Sequence, residues 1–151
     1  MKNLKLQRWF VMSDERATAM IDKSKSYMYD ELIMDENSIF HNHTKTDVFI
    51  LSSAIGYYFK NRVPLPTPSS EKQDLFVTTT LGGGSVDKIW IMKSIALAQT
   101  DITILKSMRE VVKICQEFAN FGIDYIYKVH KESDNEVSEL ANMMADALES
   151  Q

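Results

Sequence analysis

The chain has 151 residues, of which 44% are hydrophobic and 25% charged. These proportions belong to an ordinary globular protein and set aside disordered and collagen-like classes, and the length favours one domain with a sizeable core. A formal net charge of −4 argues against a chain that coats phosphate backbones, and a single cysteine cannot close an intrachain disulfide.

The N-terminal stretch MKNLKLQRWFVMSDERA has two early lysines, but its apolar run is broken by Lys5, Gln7 and Arg8. Without a small-residue cleavage site it does not read as a secretion signal, and with the lone cysteine it points to a reducing, cytoplasmic setting. Arg8 to Met12 reads as a short strand or an apolar lead-in. Ser13 is a candidate N-cap for a helix running to about Leu32, with Ala17, Met20, Ile21, Ser24 and Met28 on one face.

The polar run FHNHTKTD follows, with Thr46 or Asp47 as the expected cap of the next helix. His41 and His43 with Asp47 nearby are also the residue types of a zinc site, although ligands at i and i+2 require a strand or loop and His130 is far along the chain. The consecutive letters HNH do not make the nuclease of that name, whose signature residues are dispersed over a ββα-metal fold. From Val48 to Phe59 the chain is apolar on nearly every helical face, so the spacing predicts a central helix. The run is too short for the roughly 18–20 residues of a spanning helix, and no membrane association is expected. Ser52 and Gly56, four apart, leave a groove for the close approach of another helix.

After Phe59 the character changes. Lys60 and Arg62 form a small basic spot, and all three prolines fall in VPLPTP, so Val63 to Ser70 is expected to be a stiff, exposed connector serving as a hinge or recognition element. Phe76 to Leu81 reads as a short strand. Gly82 to Gly84 then turn the chain into a helix reaching about Ala98. LGGGSVDK lacks the lysine that must follow the last glycine of a phosphate loop, and Asp87 would repel an anion there, so no nucleotide cofactor is expected.

A further helix is expected over Leu105 to Phe121, with Cys115 as a small buried hydrophobe in its apolar stripe and Gly122 as its αL cap. IDYIYKVH fits strand or helix equally. The last segment, Asn135 to about Glu149, has Val137, Leu140, Ala141, Met144 and Leu148 at i, i+3, i+4 spacing. Residues 132–151 hold six acids and no Lys or Arg, leaving seventeen cations against fifteen acids in residues 1–131. That faint excess makes direct DNA contact unexpected.

The fold class expected is therefore mainly α: one compact helical domain over residues 1–133 with at most a few short strands, then an acidic amphipathic helix over 134–151. That helix either folds back onto its own domain or serves as an assembly element, for instance in a homodimer. Candidate partner contacts are Lys60, Arg62, Val137, Leu140, Met144 and Leu148; no catalytic residue, metal set or cofactor is assigned.

Four short strings add a family likeness. Ala54-Ile55-Gly56-Tyr57, Arg62-Val63-Pro64, Ile95-Ala96-Leu97 and Phe118-Ala119-Asn120-Phe121-Gly122 stand in that order, and the stretch from 39 to 127 that contains them resembles the small phosphorothioation-associated protein four, encoded beside DNA sulfur-modification systems. Phe121 stands where the family pattern has the first glycine of its cap. The resemblance implies an accessory role in anti-phage defence, with other proteins of the system as partners, and supplies no catalytic residues. Two functions stay open: a non-enzymatic accessory subunit that docks other proteins, or a small metal-dependent or nucleic-acid-acting enzyme using His41, His43 and nearby acids.

Overall fold

The structure, a computed structural model, describes residues 16–81, 86–132 and 135–149. Strand β1 (Thr18–Asp22) passes through a 3₁₀ turn into α1 (Ser26–Met34), and α2 (Lys45–Tyr58) leads through the proline connector to strand β2 (Lys72–Val77). Helix α3 (Val86–Gln99), a 3₁₀ turn (Ile102–Lys106), α4 (Met108–Glu132) and α5 (Glu136–Glu149) complete the chain. The fold is mainly α, as the periodicity predicts. Among the described residues no helix is long and apolar enough to cross a membrane.

Two expectations about the strands are corrected. The predicted first helix begins as a strand: Thr18 to Asp22 alternate half-buried and buried and pair antiparallel with β2, Thr18 opposite Val77 and Asp22 opposite Lys72. Helix starts only after Asp22, whose carboxylate accepts from the Ser24 N–H at 2.9 Å. Alternating burial of Ala19 and Ile21 against the core outweighs a helical spacing that the same residues also satisfy. The proposed Ser13 cap and the Arg8 to Met12 strand lie outside the described residues, as do Gly82 to Gly84. The second strand is Lys72–Val77 rather than Phe76 to Leu81, and residues Thr78–Leu81 curl into a 3₁₀ turn.

Helix α4 organises the rest. Its 25 residues extend roughly 37 Å at helical rise, and it packs against α1, α2, α3, α5 and β1. IDYIYKVH is its last two turns, so the expected break at Phe121 does not occur. Gly122 is not a cap but a mid-helix residue, buried at the crossing with α2. A Cβ built there would lie 1.8 Å from the Ser52 carbonyl oxygen, and one built on Gly56 would lie 2.1 Å from that of Phe118. The groove expected from Ser52 and Gly56 is therefore filled by backbone, and each helix offers a glycine to the other's main chain. Absence of a side chain is what both positions require.

Side chains seal the crossing. The Ser53 hydroxyl shares its hydrogen between the carbonyls of Phe49 (2.9 Å) and Cys115 (3.0 Å), and the fully buried Cys115 thiol reaches the Met92 carbonyl of α3 at 3.4 Å. Burial pushes this thiol's pKa well up, so Cys115 stays protonated and acts as the small core residue expected. Phe49 meets Phe76 edge-on at 5.2 Å, tying α2 to β2, and the Gln116 side chain accepts from the Met20 N–H at 3.1 Å beside the β1–β2 bulge.

Because backbone rather than a flexible side chain stands opposite each glycine, Gly56→Ala and Gly122→Ala must push the helices apart. Each is expected to cost about 3 kcal/mol or more, read as a lowered urea midpoint. A midpoint within experimental error of the parent would show that the two helices do not touch there.

Candidate interaction surfaces

Three of the four strings that carry the family likeness meet in space. Ala54 to Tyr57 and Phe118 to Gly122 face one another across the α2–α4 crossing, and Arg62-Val63-Pro64 is clasped by the same stretch of α4. There the Val63 N–H donates to the Glu117 carbonyl at 3.0 Å. The Asn120 side-chain amide donates to the carbonyls of Val63 (3.2 Å) and Pro64 (3.3 Å). Arg62 Nη2 donates to the Glu117 carboxylate at 3.3 and 3.4 Å and lies over the Phe118 ring, 5.8 Å from its centre. Thus Arg62 is held by a mostly buried carboxylate, and the connector is pinned at its start rather than hinged.

Lys60, the other cation of the expected basic spot, is exposed but adopts φ 54°. Its N–H bonds the Tyr57 carbonyl and the Asn61 N–H bonds that of Gly56, at 3.0 and 3.1 Å. This pair of bonds is the Schellman closure of α2. The left-handed cap sought at Gly122 is found here, on a lysine.

The structure does not gather the histidines into a metal-binding group among the described residues. Thr44, not Thr46 or Asp47, caps α2, and Asp47 completes the capping box by accepting from the Thr44 N–H at 3.0 Å. Asp47 also pairs with Lys88 of α3 at 2.9 Å, while His43 stands 3.6 Å away. Burial raises the Asp47 carboxyl, but hydrogen bonds from Thr44 and the Lys88 ammonium outweigh it and bring its pKa down to about 2. His130 bonds Asp35 at 2.9 Å, and the Asp35 carboxyl is lowered by the Asn37 N–H and by His130. No three His, Cys, Asp or Glu among the described residues are grouped to hold a metal.

Along α5 the expected stripe divides. Leu140 is buried, Val137 is 59% exposed, and the side chains of Met144 and Leu148 lie outside the described set. Leu140, with Met143 half-buried beside it, joins the main core. The helix lies back on α4.

A surface that the sequence reading passed over lies on α3. Met92, Ile95 and Ala96 are buried, and the opposite arc consists of Trp90, Ile91, Ser94, Leu97 and Ala98, all exposed and none charged. Ser94 turns its hydroxyl onto the Trp90 carbonyl at 2.7 Å, and Ile102 just beyond the helix is 63% exposed. Between Ile89 and Gln99 the only charge is Lys93, which is itself buried beneath the Trp90 ring at 5.1 Å. That run of ten uncharged residues around one lysine was the available signal: a helix apolar all round leaves one apolar face in water when only the other is covered.

The family model for DNA sulphur modification system-associated protein 4 matches residues 20–151. The chain belongs to this family. The match runs from within β1 to the last residue and so includes the crossing, the clasped connector and the α3 face. No curated protein and no solved structure matches the chain.

Two substitutions separate the roles of the two cations. Arg62→Ala strands the Glu117 carboxylate and is expected to cost about 1.5–3 kcal/mol, whereas Lys60→Gly relieves a left-handed backbone and should raise stability by up to about 1 kcal/mol. Equal denaturation midpoints for both variants would refute the assignment.

Asp47 sets an acid limit. Since its folded pKa lies below the ordinary 3.8, the stabilisation it contributes is complete above that value and is lost as pH falls from 3.8 towards about 2. Asp47→Asn should remove that part of the pH dependence, and superimposable acid-denaturation profiles would contradict it.

Proposed function

We propose that the chain is a non-enzymatic, protein-binding subunit of a DNA sulphur-modification system, acting in the cytoplasm in defence against foreign DNA. The observation that carries this reading is the uncharged outer face of α3. Contiguous exposed apolar surface is costly to maintain and marks interaction sites, and aromatic anchors such as Trp90 are the residues that dominate protein interfaces. The face is mounted on a rigid base, because the buried side of α3 is tied to the α2–α4 crossing through Cys115 and to the start of α2 through Lys88.

Membership in a sulphur-modification-associated family supports another protein of that system as the occupant. Val137 on α5 and Lys60 at the end of α2 are further contact candidates, exposed and outside the crossing. Arg62, whose charge Glu117 engages, serves the fold first.

The test is co-expression with the other proteins of the system and affinity capture of the complex. Ile91→Ser combined with Leu97→Glu should abolish capture while leaving the melting temperature within a few degrees, since both side chains are exposed. Capture unchanged in a folded double variant would overturn the reading. If light scattering shows that the same substitutions convert a dimer to a monomer, the occupant is a second copy of the chain.

A further inference from the structure

Away from α3, the end of α2, the C-terminal part of α4 and one flank of α5 enclose an open cleft of about 320 Å³. Three of its walls are aromatic: Tyr58, Phe59 and Tyr125. Phe59 holds them together, its ring 4.9 Å from that of Tyr58 and 5.0 Å from that of Tyr125, with Phe121 behind it at 5.7 Å. Tyr58 and Phe59 nevertheless remain 36% and 40% exposed, so their rings are available from the cleft. The fourth side is α5, which contributes the carboxylates Glu139 and Asp146 with Asn142 and Met143 between them. Among the described residues that line it none is basic.

Aromatic rings present negative faces to a cation, and a planar guanidinium both stacks on such rings and bonds carboxylates side by side, which an ammonium does less well. We propose that this cleft receives an arginine side chain of a partner protein, with Tyr58, Phe59 and Tyr125 as the stacking walls and Glu139 and Asp146 as the counter-charges. Burial, and then the charge of Glu139 beside the aromatic wall, push the Tyr125 phenol upward. Two of the acids of α5 are thereby given a use: Glu139 and Asp146 line one side of a site built for positive charge. This inference rests on the reading of the chain as a protein-binding subunit and specifies the chemistry of one contact.

The test uses the full chain and the peptide acetyl-Gly-Arg-Gly-amide, with citrulline in place of arginine as the uncharged isostere, followed by aromatic ¹H–¹³C spectra. The arginine peptide should shift the Tyr58, Phe59 and Tyr125 rings and the citrulline peptide should not. Glu139→Gln with Asp146→Asn, both exposed and therefore foldable, should weaken binding by about tenfold. Absence of ring shifts up to about 10 mM, a range in which single-residue contacts register, would overturn the inference, as would equal shifts with citrulline or shifts confined to other residues. If capture through α3 succeeds while the peptide fails, the cleft inference falls and the subunit reading stands. If the peptide binds but no protein of the system is captured, the cleft keeps its chemistry and the subunit reading falls.

Discussion

Everything in this fold depends on two helices being allowed to touch main chain to main chain. Gly56 of α2 faces the Phe118 backbone and Gly122 of α4 faces that of Ser52, so the contact is reciprocal. Close approach shortens the path between layers. Ser53 can thus reach the Cys115 carbonyl of α4, a bond that wider spacing would break, and Cys115 in turn reaches a carbonyl of α3. Strand β1 and helices α1, α3 and α5 then build outward from the remaining faces of α4.

The clasp on Arg62 to Pro64 belongs to the same design. Prolines cannot donate, and an extended segment has no internal hydrogen bonds, so its backbone groups need partners elsewhere. Asn120 supplies donors for two carbonyls and the Glu117 main chain accepts from Val63. Glu117 itself is nearly buried, and Arg62 answers its charge. A stretch that looks like loose punctuation is thus fixed by residues placed three apart on the central helix.

How much of this could be read beforehand varies with the kind of signal. The amphipathic faces of α4 and α5, the all-round apolar α2 and the groove beside Gly56 follow from periodicity and residue size, which are local properties. Gly122 was legible as special but not as to why: a glycine after an apolar stripe suits a cap and a crossing equally, and only the position of Ser52 decides between them. Thr18 to Asp22 satisfy both strand and helix spacing, and their partners lie 50 to 59 residues away in β2. The α3 face was hidden for a different reason. A run of apolar residues announces burial, and nothing within the run says that one side will be left open. The aromatic cleft, assembled from Tyr58, Tyr125 and Glu139, combines three separate helices and has no local signature at all.

Gly56 occupies two structures at once. Its missing side chain admits the Phe118 backbone, and its carbonyl accepts the Asn61 N–H that closes α2. The helix crossing and the chain's exit from the helix are therefore mechanically one unit: displacing α2 from α4 also redirects the segment that carries Arg62 towards Glu117. Perturbations at the crossing, at the left-handed Lys60 and at the Arg62 pair share a common backbone, so their free energies are coupled and will not add as those of independent sites do.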